Sequence, residues 1–397
     1  MAVLLVGSLA LASGTAQLLE GTAPKAALLL DPFDTNARVN DLTAQLNDTT
    51  EDHDLPALEA AAETTIAFAP ADARGYSLLG EIRALQGRSD DATALYKHAV
   101  DLSGTEILAL TNLLADAMTG HRYVEATTYL DPLLRRWPAY WDKVSADIPI
   151  IALDHDGGGA AALKSLLDQH PPWRLQTLSL LTSAPSTLPF VEELFTTEAA
   201  SSTPPPWNEL NLVVVSLVNQ ARFGPAYGFF LSTLAANHRP LAGYIFDPHF
   251  TGARSGSFFA WQVKSTQDAD VSIGGDSGSP HLDVDFIDTP ARLGNVTQYL
   301  NLPAGHYKLS TTVSATDLSA PKGVYWVVNC VRTAVEMGRL PIPNGTYRGS
   351  TIDATIDIGP GACGLEQIAL VTGTKTDSQV DRYSGSLTFD SLTFERS

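Results

Sequence analysis

Positive charge is scarce in this chain. Lys and Arg number 25 against 44 Asp and Glu, a formal net charge of −19 over 397 residues. Phosphate backbones are held by clustered Lys and Arg, so nucleic acid is excluded as a partner class, and an anionic membrane surface is disfavoured for the same reason. Charge of either sign is sparse as well, at 17% against 44% hydrophobic residues, which rules out a disordered chain and implies sizeable buried cores. Cysteine is nearly absent: only Cys330 and Cys363 occur, 33 positions apart. They are two thiols in a reducing compartment and a disulfide in an exported protein. The nine histidines show no spacing suited to a metal. What the composition leaves open is neutral sugars, peptides and other proteins.

No long apolar run is present either. Ala2-Val-Leu-Leu-Val-Gly-Ser-Leu-Ala-Leu-Ala-Ser13 is too short to span a bilayer, and the first basic side chain is Lys25. The run ends in the small-x-small triplet Ala10-Leu11-Ala12, as a signal peptide does, but lacks a basic segment before it. A clipped signal, the tail of a membrane anchor and a first helix all fit. Export is the expectation, with residues 1–14 as a signal or anchor remnant and the periplasm or cell envelope as the location.

What the sequence does contain is a repeat. From Ala73 to Leu102 a helical hairpin is written with Tyr76, the pair Leu79-Gly80, and Ala92, Tyr96 and Ala99 on its second helix. Adding 34 to those numbers reaches Leu110, Leu113-Leu114, Ala126, Leu130 and Leu133. Gly80 and the alanines permit close helix approach while the large residues fill the groove between helices, and Pro70 and Pro138 end units at equivalent places. A degenerate unit precedes these at about 36–72, with Leu42 in register with Tyr76. This pattern resembles the tetratricopeptide family. Helical stretches continue beyond Pro138, separated by Pro171-Pro172 and Ser201-Ser-Thr-Pro-Pro-Pro206, with a last hairpin at 208–221 and 225–236. The reading is an α-solenoid over residues 15–238. Such a scaffold presents a concave surface to a protein partner, and Arg74, Ser77, Glu81 and Asn112 on its first helices are the candidates to line it.

From about Gly243 the pattern changes to short alternating runs broken by Gly, Pro and Asp. Val324, Trp326 and Val328 alternate with Tyr325 and Val327, and similar alternation at 282–286, 309–313 and 352–356, with runs at 257–263, 296–302, 366–372 and 384–394, predicts about eight strands. Three phrases then stand out: Phe246-Asp-Pro-His-Phe250 followed by Trp261; Tyr299-Leu-Asn-Leu-Pro-Ala-Gly-His-Tyr-Lys-Leu309; and Leu387-Thr-Phe-Asp-Ser-Leu-Thr-Phe394. In that order they resemble the galactose-binding-like sandwiches that include many carbohydrate-binding modules. The resemblance implies a jelly-roll over 243–397. It also implies aromatic platforms for a polysaccharide, with Phe258, Trp261, Tyr299, Tyr325 and Tyr347 as ligand-binding candidates. Trp326 shares a face with Val324 and Val328 and reads as core, which makes Tyr325 the better platform. The same resemblance implies a structural calcium between first and last strands, with Asp247 and Asp390 as its ligands. The acid-rich segments Asp268/Asp270/Asp276 and Asp377/Asp381 read as solvated loops.

Two strings imitate catalytic motifs. Gly275-Asp-Ser-Gly-Ser-Pro280 spells part of a serine-protease nucleophile loop at Ser277, without a His-bearing motif upstream, and Ser279 replaces its second glycine. Asp154-His-Asp-Gly-Gly-Gly159 lacks a preceding strand and a Gly-Lys-Ser/Thr, and reads as a loop between helices. The sequence therefore predicts a multidomain α + β protein, a tetratricopeptide-like solenoid followed by an antiparallel jelly-roll sandwich. It is not an enzyme and requires no cofactor. It is an envelope scaffold that holds a protein through its helices and contacts a polysaccharide through its sandwich. The rival reading has both parts bind polypeptide.

Overall fold

The computed structural model describes residues 13–48, 54–199, 205–275, 279–361, 363–374 and 381–397. The chain forms two compact units, Met1–Leu180 and Leu181–Ser397.

The first unit is a series of antiparallel helix pairs. Residues 13–19 are helical (α1), followed by α2 (Pro24–Leu30), α3 (Thr35–Leu46), α4 (Leu55–Phe68), α5 (Ala73–Leu85), α6 (Ser89–Leu102), α7 (Ile107–Thr119) and α8 (Tyr123–Arg136). Acidic side chains start several of them: Asp34, Asp54, Asp72 and Glu106 each accept a hydrogen bond from a first-turn amide of α3, α4, α5 and α7. A carboxylate there satisfies an otherwise orphaned donor and complements the helix dipole. Pro70 and Pro138 fall just after α4 and α8, as the repeat predicts. Gly80 is required by packing, since a Cβ there would lie 2.8 Å from the Tyr96 ring of the neighbouring α6. Ala92, Tyr96, Ala99 and Leu113 share one core, and Leu42, Leu58, Leu79 and Ile82 another. Beyond α8 the helices shorten: α9 (Trp141–Val144), α10 (Asp147–Leu153) and α11 (Gly159–Leu167), with α12 (Arg174–Ser183) at the unit boundary. The triglycine string is the turn between α10 and α11, where the Asp154 carboxylate accepts from the amides of Gly157 and Gly159. It is a helix connection, as expected.

The second unit opens with α13 (Leu188–Ala199), α14 (Trp207–Asn219) and α15 (Phe223–Ser232), then becomes a sandwich of two five-stranded antiparallel sheets. The strands are β1 (Gln262–Val263), β2 (Ala269–Gly274), β3 (His281–Pro290), β4 (Val296–Leu300), β5 (Gly305–Ser319), β6 (Val324–Cys330), β7 (Glu336–Ile342), β8 (Gly345–Ile358), β9 (Glu366–Thr372) and β10 (Arg382–Arg396). One sheet runs β1-β4-β9-β6-β7 and the other β2-β3-β10-β5-β8. Between them lie Trp326, Tyr307, Phe389, Leu309 and Tyr383, all at 0% exposure. Helix α15 packs Tyr227 and Phe230 against Phe259 and Phe246, edge to face or tilted with ring centroids 4.9–5.6 Å apart. The unit containing the sandwich therefore begins well before the change of sequence pattern at Gly243.

Two strands exceed the eight predicted. In β2, Asp270 and Ser272 point outward in alternation with buried Ala269 and Val271, so half of an apparently polar turn is a strand with one wet face. β7 carries Pro341, which a strand tolerates only at a sheet edge, and β7 is the edge. Asp276, Ser277 and Asp377 lie outside the described residues. Among the described residues no helix is long and apolar enough to cross a membrane.

Candidate functional site

The pairing register defines a surface on the outer face of the first sheet. Thr297 of β4 pairs with Ala369 of β9, which pairs with Val327 of β6, which pairs with Arg339 of β7. Two residues along one direction, the row is Tyr299, Gln367 and Asn329; two along the other, it is Val371, Tyr325 and Pro341. Strands present alternate residues to opposite faces, so all of these look away from the core that holds Val324, Trp326 and Val328. Val327 and Ala369 are only 4% exposed although they face outward. The result is an apolar floor between two tyrosines. From strand spacing and rise, Tyr299 and Tyr325 stand about 16 Å apart, with Gln367, Asn329 and Thr297 between them. These three side chains are half-exposed and suited to take sugar hydroxyls.

The predicted platforms thus divide. Tyr325 lies on this face, with its hydroxyl donating to the Lys322 carbonyl and the Arg339 guanidinium 4.9 Å from its ring centroid. Tyr299 lies there too, stacked on Phe258 at 4.5 Å and 13°. Asn211 of α14 holds the Phe258 loop by accepting its backbone N–H. Trp261 is withdrawn from the set: it is 3% exposed, its indole N–H donates to the Asp247 carbonyl, and its ring lies against Phe250 and Trp326. A buried indole has no face to offer a sugar. Tyr347 belongs to β8 of the other sheet, packs partly against the core and donates its hydroxyl to the Pro343 carbonyl, apart from the other two. Gln367, Asn329, Thr297 and Arg339 were not among the candidates. Their signal is alternation with the core residues of β4, β6, β7 and β9, which becomes a cluster only once the register is known.

Calcium does not fit the residues proposed for it. Asp247 is 1% exposed, and its carboxylate accepts from the Thr251 amide and hydroxyl and from the Gly252 amide, so it fastens its own loop. Asp390 is exposed, and its carbonyl accepts from His249. Among the described residues no group of three or more acidic, His or Cys side chains is arranged to hold a metal. The segment ahead of β1 is instead tied directly to the last strand, the Leu392 amide donating to the Pro248 carbonyl. Cys330 and Cys363 form a disulfide, with Cα atoms 5.4 Å apart, fastening the end of β6 to the segment that enters β9.

A second surface lies in the helical unit. The first helices α3, α5 and α7 stand side by side at the 34-residue spacing and line a groove of about 540 Å³ with Leu46, Leu78, Leu85, Ile107 and Leu108, together with Trp137 and Tyr140. Of the four predicted partner residues, Arg74 and Glu81 line it. Asn112 stands behind Glu81 and donates to its Oε2, as does the Tyr96 hydroxyl. Ser77 is corrected: it is fully buried and its hydroxyl donates to the Ala73 carbonyl one turn back. Its 34-spaced counterparts Thr43 and Thr111 do reach the groove. Glu106, which the sequence did not single out, lies at the rim, where burial pushes its carboxyl above the usual range against the opposing pull of the Leu108 amide, Ser77 and Arg74.

No family model matches the chain, and no curated protein matches it. Solved structures do match. A CBM4 carbohydrate-binding module is 15% identical with a TM-score of 0.30, covering 40% of this chain and 99% of the module. The carbohydrate-binding module of Cellvibrio mixtus lichenase 5A, solved with cellotriose, is 16% identical at a TM-score of 0.23, covering 35% of this chain and 98% of that one. A chain of accessory secretory protein 1, 2 and 3 in Streptococcus pneumoniae is 12% identical at 0.23, covering 38% and 94%. These likenesses each cover 35–40% of this chain, whose C-terminal part is an antiparallel β-sandwich.

Proposed function

We propose that this chain is a non-catalytic scaffold of the cell envelope, which binds a polysaccharide on the outer face of the β1-β4-β9-β6-β7 sheet and a polypeptide in the groove of its helical unit. The observation that carries the reading is the strip between Tyr299 and Tyr325. A pyranose lays its C–H face on an aromatic ring while amides take its hydroxyls, and the strip offers both kinds of group over a length of several sugars. The outer face of the other sheet carries Ser310, Thr312, Thr388 and Asp353 instead. The disulfide supports a location outside reducing compartments.

A glycan array probed with the full chain tests this. Binding to at least one neutral or cationic polysaccharide is expected, weakened about tenfold or more by Tyr325→Ala and by Gln367→Ala and unchanged by Thr312→Ala on the opposite sheet. Absence of binding to every glycan, together with crosslinking of a protein to position 325, would favour the rival in which both surfaces bind polypeptide.

A further inference from the structure

The helical groove carries a charge pattern of its own. Among the described residues that line it the cation is Arg74, whose charge is matched by Asp72: Nε and Nη2 donate to the Asp72 carboxylate at 3.0 and 2.6 Å, and Nη2 also reaches the Asn36 amide oxygen at 2.7 Å. Two further cations lie on aromatic rings that line the groove, Arg136 over Trp137 and Lys143 over Tyr140. The acids are differently placed. Glu81 lines the groove with both of its hydrogen bonds, from Tyr96 and Asn112, made to Oε2 at 2.9 and 3.2 Å. Oε1 accepts none among the described residues. The carboxylate is therefore held in one orientation by α6 and α7 with one oxygen presented to whatever enters. Glu106 is the second acid, half-buried at the rim one helix further on. Around the two acids the walls include Leu46, Leu78, Leu85, Ile107 and Leu108, which bury an apolar chain.

We infer that the groove takes an extended polypeptide segment in which a Lys or Arg, flanked by apolar side chains, is received by Glu81 with Glu106 beside it. This rests on the reading of the groove as a polypeptide site and names the class of segment it selects. The fixed carboxylate supplies specificity: a cation gains a charge-assisted hydrogen bond, whereas an acidic side chain meets two carboxylates and a guanidinium whose charge Asp72 already matches. The apolar walls supply most of the buried area.

Fluorescence anisotropy with three ten-residue Leu/Ala/Ser peptides, identical except for a central Lys-Lys, norleucine-norleucine or Glu-Glu pair, tests the inference on the full chain. The Lys peptide is expected to bind at least about tenfold more tightly than the other two, with the margin shrinking as salt screens the contact. Glu81→Gln keeps acceptors for Tyr96 and Asn112 and should erase the margin while leaving the melting curve unchanged. Should that variant melt early, the salt dependence of the wild-type margin decides instead. Equal binding of the Lys and norleucine peptides, or tighter binding of the Glu peptide, overturns the cation preference and leaves the groove as a polypeptide site. If no peptide binds, both the preference and the polypeptide reading of the groove fall.

Discussion

Single side chains on β6 and β9 show how one strand serves two environments. Trp326 and Tyr325 are neighbours in sequence, yet one fills the core and the other looks outward, because the pleat sends them to opposite faces. Glu366 is the costly member of this set. It points inward beside the disulfide at 0% exposure, with Oε2 accepting from the Leu302 amide and Oε1 without a partner among the described residues. Burial pushes its carboxyl up from the usual value, against the pull of the amides around it. A raised pKa in the folded state means that folding favours the protonated form. The associated stability is complete below the ordinary carboxylate pKa and is lost as pH rises through the folded one. Glu366→Gln removes this titration. In thermal melts from pH 7 down to 4, the wild type should gain on the variant by a few degrees as pH falls; a constant difference across that range would show that the carboxyl titrates as it does in water.

At the scale of elements, what could be read from the sequence depended on whether a signal was local. The 34-residue spacing gives α5 to α8 because Gly80, Ala92 and Ala99 recur against large residues within each hairpin. Alternation gives β6 and β10 because both carry long apolar series on one face. Ser77 misled because a hydroxyl that donates to the carbonyl four residues back is buried without any trace in the residue type. Trp261 misled because an aromatic reads alike on a platform and in a core. The amides Gln367 and Asn329 were invisible because their meeting depends on pairing between strands far apart in the chain. The disulfide was legible only as a pair of cysteines, and its structural role comes from joining the end of β6 to the entry of β9. Cys330→Ser should therefore lower the stability of the second unit by about 2–4 kcal/mol in denaturant titrations. Reductant should reproduce the loss in the wild type and do nothing further to the variant. A variant as stable as the oxidised wild type would place the cohesion of that sheet elsewhere.

On the scale of the whole molecule, the division into Met1–Leu180 and Leu181–Ser397 differs from the division by secondary structure. Residues at the change of pattern near Gly243 mark where helices give way to strands. Packing instead groups α13 to α15 with the sandwich, through Tyr227 and Phe230 against Phe246 and Phe259, and through Asn211 on the loop that carries Phe258. The helical pair nearest the sandwich thereby supports the stacked ring beside Tyr299, and the saccharide strip belongs to a unit that is part helix. The most direct test is affinity electrophoresis of the full chain through gels containing a panel of polysaccharides, with wild type and Tyr325→Ala run side by side. The account predicts retardation of the wild type in at least one gel and free migration of Tyr325→Ala in the same gel, with equal mobilities where no polysaccharide is present. Wild type and variant retarded alike, or neither retarded in any gel, would contradict it.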